Sequence, residues 1–207
     1  MKIHIKCTMQ PPEFDDQSIA IEGYKEELQC IAVIDNQCAP ASLNCFVGTM
    51  EGHLIKYTRK YFKNTIDKLG KHPDEGAVTQ VIYRFGMLVW STPKKIRVIH
   101  YKRNIQKICM IKVPDENPNI PQHMYFSNLV IPKIQMKISI EKQTSIADPN
   151  VDMYIAWFNE IKKIKFEYSD KIDKFNAETQ FTKNVGNLFL VGIDVSMLKD
   201  RYITCDF

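Results

Sequence analysis

The stretch Met87-Leu-Val-Trp-Ser-Thr-Pro-Lys-Lys-Ile-Arg-Val-Ile-His100 decides the fold, because its pattern returns in Met153-Tyr-Ile-Ala-Trp-Phe-Asn-Glu-Ile-Lys-Lys-Ile-Lys-Phe166. In both copies an apolar strand ends in tryptophan, a short polar turn follows, and a second strand alternates apolar with basic residues. A third copy, Cys45-Phe-Val-Gly-Thr-Met-Glu-Gly-His-Leu-Ile-Lys-Tyr57, keeps this frame with Gly48 at the aromatic position. A unit that recurs along a chain predicts a repeat architecture, and such architectures usually bind partners.

The spacing of the copies agrees with propeller blades. Gly48 and Trp90 are 42 residues apart, within the roughly 40 to 45 residues of a four-stranded blade. Trp90 and Trp157 are 67 residues apart, and the excess lies between Pro114 and Asn150, where prolines are frequent. Because prolines belong in loops or at strand edges, we expect a Pro-rich insertion at 114–150. Chance similarity among short β-hairpins is the alternative.

Apolar runs bounded by turn signals predict strands in successive groups of four. The predicted strands, in chain order, are Leu28–Ile34, 43–48, 53–58, Tyr61–Ile66, 77–83, 87–90, 96–101, 108–113, Met124–Ile131, Met153–Trp157, Ile164–Tyr168, a weak element at Gln180–Thr182, and Asn187–Val195. The first two groups are joined internally by short turns, of which Glu51-Gly52 suits a tight hairpin.

The segment 158–175 supports two interpretations. Several of its apolar residues fit a heptad, which predicts an amphipathic helix. Ile164, Phe166 and Tyr168 instead alternate with Lys165 and Glu167, which is the period of a half-buried strand. We favour the strand because it preserves the frame of the Trp90 copy.

Composition places the chain among ordinary globular proteins. It has 207 residues, 44% of them hydrophobic and 25% charged, and a formal net charge of +4, so charge does not require a nucleic-acid partner. No apolar run approaches the roughly 18 to 20 residues of a membrane span, and the segment Met1–Cys7 has no signal-peptide core. We therefore expect a cytoplasmic protein that reaches membranes only through partners.

The six cysteines predict reduced, structural thiols. No two of them have the C-x-x-C spacing of a zinc or redox motif. They are Cys7, Cys30, Cys38, Cys45, Cys109 and Cys205. Cys30, Cys45 and Cys109 stand in apolar runs, where a free cysteine usually acts as a small buried hydrophobe.

Motifs of the common enzyme classes are missing from the sequence. It contains no Gly-rich phosphate loop, zinc-protease helix, nucleophile elbow or EF-hand loop. The five histidines are scattered, and the adjacent carboxylates Asp15-Asp16 and Asp74-Glu75 are typical of solvated turns. We therefore predict no catalytic, cofactor-binding or metal-binding residues, no cofactor and no enzymatic activity.

Basic residues with interleaved aromatic residues leave a second interpretation open. The basic residues are Lys56, Arg59, Lys60, Lys63, Lys68, Lys71, Lys94, Lys95, Arg97, Lys102, Arg103 and Lys107, and the aromatic residues are Tyr57, Tyr61, Phe62 and Tyr101. Such a pattern is compatible with a phosphate-contacting surface for nucleic acid or an anionic membrane. The favoured interpretation is a solvated outer face, because alternation places Lys56, Arg97 and Lys165 opposite the apolar faces of their strands.

Three segments carry a resemblance to a known family. Gly76-Ala-Val-Thr-Gln-Val-Ile-Tyr-Arg-Phe-Gly-Met-Leu-Val-Trp-Ser-Thr-Pro-Lys-Lys-Ile-Arg-Val-Ile99 resembles the segment of the vacuolar protein sorting-associated protein 41 family in which a glycine-led strand precedes an L-I-A-W-A strand and a G-V-K-I-Y-D strand. Tyr154-Ile-Ala-Trp-Phe-Asn-Glu-Ile-Lys-Lys-Ile164 is similar to that family's next W-x-x-x-V-K-V hairpin. His123-Met-Tyr-Phe-Ser-Asn-Leu129 stands in place of its D-M-Y-P-C-S-L run. The segments keep the family's order, and the resemblance covers roughly residues 28–195.

The resemblance implies a non-catalytic scaffold in a subunit of the HOPS vesicle-tethering complex, acting in transport from endosomes to the lysosome or vacuole and in fusion there. The implied partners are other tethering-complex subunits, a Rab-type GTPase and SNAREs. The implied location is cytoplasmic and peripheral on late-endosome, lysosome or vacuole membranes. No nucleic-acid partner is expected. The alternatives are a β-propeller scaffold of another trafficking complex and a basic nucleic-acid-binding β domain.

The predicted fold class is all-β, a partial WD-repeat-type β-propeller of about three to four four-stranded antiparallel blades. Residues 1–27 are expected to be an irregular segment or the remnant of a preceding blade, and residues 28–207 a partial propeller with the insertion at 114–150. The chain has no room for the family's α-solenoid or RING-like zinc domain, and Lys95 replaces a glycine usual before the third strand. Because propellers typically have about four to eight blades, we expect a fragment, a divergent short protein, or a propeller completed by other chains.

Overall fold

Antiparallel β-structure dominates the protein. Its computed structural model describes residues 3–4, 18–19, 24–34, 42–60, 63–101, 106–114, 131–139, 149–169, 171–186, 190, 193–195 and 203–204. The chain divides into two compact units, Met1–Val81 and Ile82–Phe207. Three four-stranded sheets, each a simple meander, account for most of the described residues. They confirm the predicted all-β fold class with four-stranded antiparallel blades.

The first unit contains the first sheet and a short strand pair. The pair is β1 (Ile3–His4) with β2 (Ser18–Ile19), and the first sheet consists of β3 (Leu28–Val33), β4 (Ser42–Thr49), β5 (His53–Lys60) and β6 (Lys63–Lys71), hydrogen-bonded in that order. The predicted turn at Glu51-Gly52 is confirmed, and Gly52 has a φ of 79°, a conformation that favours glycine. One face of the sheet buries Val47, Ile55 and Tyr57.

The second sheet follows a single 3₁₀ turn at Pro73–Glu75. It is formed by β7 (Gln80–Arg84), β8 (Met87–Ser91), β9 (Lys95–His100) and β10 (Gln106–Lys112). Phe85 and Gly86 join the first two of these strands with φ angles of 53° and 75°. Two positive φ values are the signature of a type I′ hairpin turn. Phe85 and Gly86 therefore connect β7 to β8 in a two-residue hairpin.

The third sheet corrects part of the sequence prediction. It is formed by β11 (Lys133–Ile138), β12 (Val151–Trp157), β13 (Glu160–Ser169) and β14 (Lys174–Asn184). Its first strand therefore lies inside the stretch 114–150 that we expected to be an insertion. The strand expected at 124–131 falls outside the described residues except for Ile131. Pro132 immediately precedes β11, where its missing N–H interrupts no ladder.

The third and fourth strands of this sheet are both longer than predicted, and β13 spans Glu160–Ser169 where a strand was expected at Ile164–Tyr168. The weak element at Gln180–Thr182 lies in the second half of an eleven-residue strand. The ambiguous segment 158–175 contains β13, so the strand interpretation is confirmed and the heptad is wrong. Most of the strand predicted at 187–195 lies outside the described residues, which include its last two positions as β15 (Asp194–Val195), paired with β16 (Ile203–Thr204).

The core of the second unit forms where the second and third sheets face each other. Met87 and Val89 of β8 pack in one cluster with Met153, Ile155 and Trp157 of β12. All seven residues of β12 are buried, so this strand has no solvent-facing side. Each large apolar side chain that is buried contributes about 1.5–3 kcal/mol to the free energy of unfolding, whereas a surface ion pair contributes about 0–1 kcal/mol. The cluster therefore contributes more to stability than the surface ion pairs.

The tryptophans that mark the repeat are packing residues. Trp157 is 2% exposed in the cluster between the sheets, and Trp90 is 6% exposed on the opposite face of the second sheet. Gly48, Trp90 and Trp157 all lie near the end of the second strand of their sheets. Their equivalent places confirm that the sequence copies mark consecutive sheets. No helix among the described residues has the length and hydropathy needed to span a membrane.

We predict that Gly48→Ala destabilises the first unit by about 1–3 kcal/mol through overpacking. A Cβ atom at Gly48 would lie 2.5 Å from Val78 Cγ1 and 2.7 Å from Cys30 Sγ. Urea unfolding followed by circular dichroism measures the change. Gly70→Ala is the matched control, because the nearest atom to its Cβ would be the tip of the His72 ring, at 3.1 Å, and Leu54 Cβ would lie at an ordinary contact distance of 3.7 Å. Equal costs for the two variants would contradict the close packing of Gly48.

Candidate functional site

A groove of about 430 Å³ runs between the first strands of the second and third sheets. Its volume lies within the roughly 300–1,000 Å³ of typical ligand sites. Among the described residues it is lined by Ile82 and Arg84 of β7 and by Ile134, Gln135, Met136 and Lys137 of β11. Ile134 and Met136 are buried in the core cluster, whereas Arg84 is exposed. The groove therefore has an apolar floor and a polar, cationic rim.

Among the described residues, no strand pairs with the edge of β11 that faces the groove. Ser139 donates its backbone N–H to the carbonyl of Asn150 at 2.8 Å, so odd-numbered residues of this strand direct their backbone groups toward β12. Even-numbered residues consequently direct theirs away from it. In agreement, the Met136 carbonyl accepts a long hydrogen bond, 3.5 Å, from Arg84 Nη1 across the groove.

The opposite edge of the third sheet presents the long strand β14 to solvent. Ten of its eleven residues are exposed, and Phe175 is the one buried side chain. Phe175 packs against the rings of His100 and Tyr168, with centroids 4.8 and 5.1 Å away, and Phe181 is 37% exposed. The strand is about twice the usual length of five to six residues, yet it contributes little to the core. Its length is therefore available for contacts outside the chain.

A buried ion pair lies on the face of β12 and β13 that points away from the core cluster. Lys163 Nζ is 3.0 Å from Asp152 Oδ2, and the two side chains are 9% and 6% exposed. The ammonium also lies 5.7 Å from the centre of the Tyr154 ring, within cation–π range. Breaking a buried pair leaves an uncompensated charge. The pair therefore favours the observed register of β12 on β13, which keeps the two charges together.

Lys165 corrects the expectation of a solvated outer face. It lies opposite the apolar face, as alternation predicts, but it is only 9% exposed. Its Nζ is 2.5 Å from Glu167 Oε1, a carboxylate that is 42% exposed. Lys56 and Arg97, predicted to share this character, are half-buried. The second face of these strands is thus partly covered rather than open to water.

A second buried polar cluster lies in the first unit around Glu26. Its Oε2 is 2.5 Å from His53 Nδ1, and the Thr49 hydroxyl accepts the backbone N–H of His53 at 3.0 Å. Burial works to raise the pKa of Glu26, but hydrogen bonds from His53, Tyr24 and Thr49 outweigh it, so the pKa is lowered. Burial beside this carboxylate raises the pKa of Tyr24. The ionised Glu26 therefore anchors the chain preceding β3 to β5.

The described basic and aromatic residues do not form a base-stacking platform. Tyr57 is 1% exposed in the core of the first sheet, and a buried ring offers no face to a nucleotide base. Tyr101 is half-buried and meets Tyr83 edge to face at 6.2 Å. The exposed basic residues among those predicted are Arg59, Lys68, Lys71, Lys94 and Lys107. Tyr61, Phe62, Lys102 and Arg103 lie outside the described residues.

Cys30, Cys45 and Cys109 are free thiols, as predicted. Burial raises the pKa of each to about 12, so at neutral pH they carry almost no nucleophilic thiolate. The described parts of the chain contain no group of three or more His, Cys, Asp or Glu side chains placed to hold a metal ion. Cys7, Cys38 and Cys205 lie outside these parts.

Sequence reasoning identified neither the groove nor the two buried ion-pair clusters. The groove joins strands about fifty positions apart, and no motif marks either of them. Glu26 and His53 carry no spacing signal. Asp152 was a weak signal, since it is the one charged residue of β12, but Lys163 is one of three lysines in β13 and nothing marks it as the partner.

Comparisons with known proteins find similarity to solved structures. No protein-family model and no curated protein matches the chain. The chain is similar to the WD40 domain of Neurospora crassa Pan2, with a TM-score of 0.44 and 13% sequence identity. The match covers 87% of this chain and 43% of that domain, so the chain spans less than half of its length. The fold assignment therefore rests on the three sheets themselves.

We predict that Asp152→Asn destabilises the second unit by about 3–5 kcal/mol, because it leaves Lys163 buried without a counter-charge. Urea unfolding followed by tryptophan fluorescence is the measurement, since both tryptophans lie in this unit. Glu178→Gln, at an exposed carboxylate of the neighbouring strand β14, is the control and costs less than about 1 kcal/mol, because this side chain is solvated in both variants. Adding Lys163→Met to Asp152→Asn recovers much of the loss. A small cost for Asp152→Asn would show that the pair does not hold the strands.

We predict that Glu26 stabilises the first unit above pH 4.5 and loses this effect on acidification. Its pKa in the folded protein lies below the ordinary value of 4.5, so folding favours the ionised form and the contribution disappears as pH falls through the lowered pKa. The free energy of unfolding of the wild-type protein minus that of Glu26→Gln is measured between pH 7 and pH 3 by circular dichroism. The difference shrinks below about pH 4.5. A difference that stays constant with pH would contradict this role.

Proposed function

We propose that the protein is a non-catalytic interaction scaffold of a vesicle-tethering subunit of HOPS type, acting in transport from endosomes to the lysosome or vacuole and in fusion there. Its partners are other tethering-complex subunits, a Rab-type GTPase and SNAREs. Through them it associates peripherally with late-endosome, lysosome or vacuole membranes from the cytoplasm. The family part of this proposal comes from the three ordered segments that resemble the vacuolar sorting family.

The observation that carries the scaffold role is the exposure of β14. A strand that buries one side chain of eleven adds little to stability, while a long open edge invites pairing with other chains. Lys174, Glu178 and Lys183 place charges along it, which limits self-association and favours a matched partner. The rigid core beneath it keeps this edge extended, so little ordering entropy opposes binding.

The raised thiol pKa values also favour binding over covalent catalysis, because buried neutral thiols are poor nucleophiles. A nucleic-acid-binding domain is less well supported, since Tyr57 is buried where stacking would require exposure. A scaffold of another trafficking complex shares the same geometry, and the choice of partner in the experiment separates it from the HOPS-type proposal.

The test is binding of the purified protein to purified tethering-complex subunits, measured by calorimetry. We expect binding that Thr182→Pro weakens about tenfold or more and that Thr182→Val leaves within about twofold. Val185 donates its backbone N–H to the Asn159 carbonyl at 2.8 Å, so the alternation directs the Thr182 N–H away from β13. Proline removes this outward donor and interrupts no ladder bond, as edge strands allow.

The two parts of the proposal fail separately. If the wild-type protein binds no tethering-complex subunit, the HOPS-type assignment is wrong. If it binds and Thr182→Pro binds equally well, the scaffold role stands but β14 is not the contact surface. Circular dichroism melts of both variants check that the fold is retained.

A further inference from the structure

The groove between β7 and β11 combines features that recognise an extended chain. Alternation directs the backbone N–H and C=O groups of Ile134, Met136 and Ile138 toward it. Arg84 is the one partner that the structure describes for this edge, through its 3.5 Å contact with the Met136 carbonyl. Unpaired backbone groups along a strand edge are a template for an added strand.

The walls of the groove differ in chemistry on its two sides. Ile82, Ile134 and Met136 form the apolar floor, while Gln135 and Lys137 belong to the other face of β11. A strand added along β11 would alternate its side chains between these two sides. The complementary sequence therefore alternates apolar residues, which pack on the floor, with polar residues at the rim.

The charge of the rim selects acidic residues. Arg84 and Lys137 line the groove, and Lys133 lies on the same face of β11 as Lys137, four residues earlier. No carboxylate occurs among the described lining residues. Asp152 is the cross-strand neighbour of Lys137, but it is buried and already paired with Lys163 at 3.0 Å. The exposed rim therefore keeps an excess of positive charge, which attracts glutamate or aspartate side chains and repels basic ones.

We propose that this groove binds an extended acidic segment of a partner protein, which adds to the open edge of β11 as an antiparallel or parallel strand. The site lies at the opposite edge of the third sheet from β14, so it is a second interaction site and does not depend on the proposed function. Arg84 shifts from the Met136 carbonyl to a carboxylate of the segment, and the freed carbonyl accepts a backbone N–H from it.

Fluorescence anisotropy with a short, end-capped peptide of alternating glutamate and valine tests the proposal on the full chain. We expect saturable binding that weakens with added salt and that is at least about tenfold tighter than binding of the lysine and valine counterpart. A glutamate and valine peptide methylated on alternate backbone amides loses binding, because strand addition needs those donors. Equal binding of the acidic and basic peptides would overturn the proposal.

Variants locate the binding at the groove. Arg84→Glu combined with Lys137→Glu weakens the acidic peptide about tenfold or more, whereas Arg59→Glu with Lys107→Glu, exposed elsewhere, stays within about twofold. Ile138→Pro removes one outward N–H, and Ile138→Ala is its control. All four are surface changes whose folding is checked by circular dichroism. Binding that survives both Arg84→Glu with Lys137→Glu and Ile138→Pro, or that falls equally in the controls, would overturn the assignment to this groove.

Discussion

The complete burial of β12 is the constraint on which the second unit depends. Its seven residues have no solvent-facing side, so one face must meet the second sheet and the other must be covered as well. The first face is satisfied by an apolar cluster from both sheets. The other face of β12 carries Asp152, whose buried carboxylate requires a cation, and Lys163 provides one with its Nζ 3.0 Å away. With β12 and β13 held centrally, the two edges of the sheet, β11 and β14, are left for other contacts.

Most of the strands were predictable because their signals are local. Short apolar runs between turn residues marked the first two sheets, and the repeated frame correctly resolved 158–175 as a strand. β11 was missed because prolines before and after it indicated a loop, although Ile134 and Met136 alternate with polar residues as an edge strand requires. β14 was underestimated because a strand that buries only Phe175 carries almost no hydrophobic period.

The binding features were not predictable from the sequence for a different reason. Whether a strand is central or at an edge depends on the order of pairing, which puts β7 and β11 at the edges of their sheets. Packing of the two sheets then brings these strands together although they are distant in the chain. The sequence assigned Lys165 to the correct face but could not reveal that this face is covered. The raised pKa of the buried thiols likewise follows from packing, which the apolar runs around Cys45 and Cys109 only suggested.

A rigid interior with two open edges is the physical basis for the proposed scaffold role, and hydrogen exchange measures it most directly. Backbone amide exchange is followed by mass spectrometry in the protein alone and with tethering-complex subunits. The account predicts that β8 and β12 are strongly protected already in the free protein, and that added protection on binding is confined to the edge strands, β14 above all. Weak protection of β12 in the free protein, or added protection spread through the central strands, would contradict it.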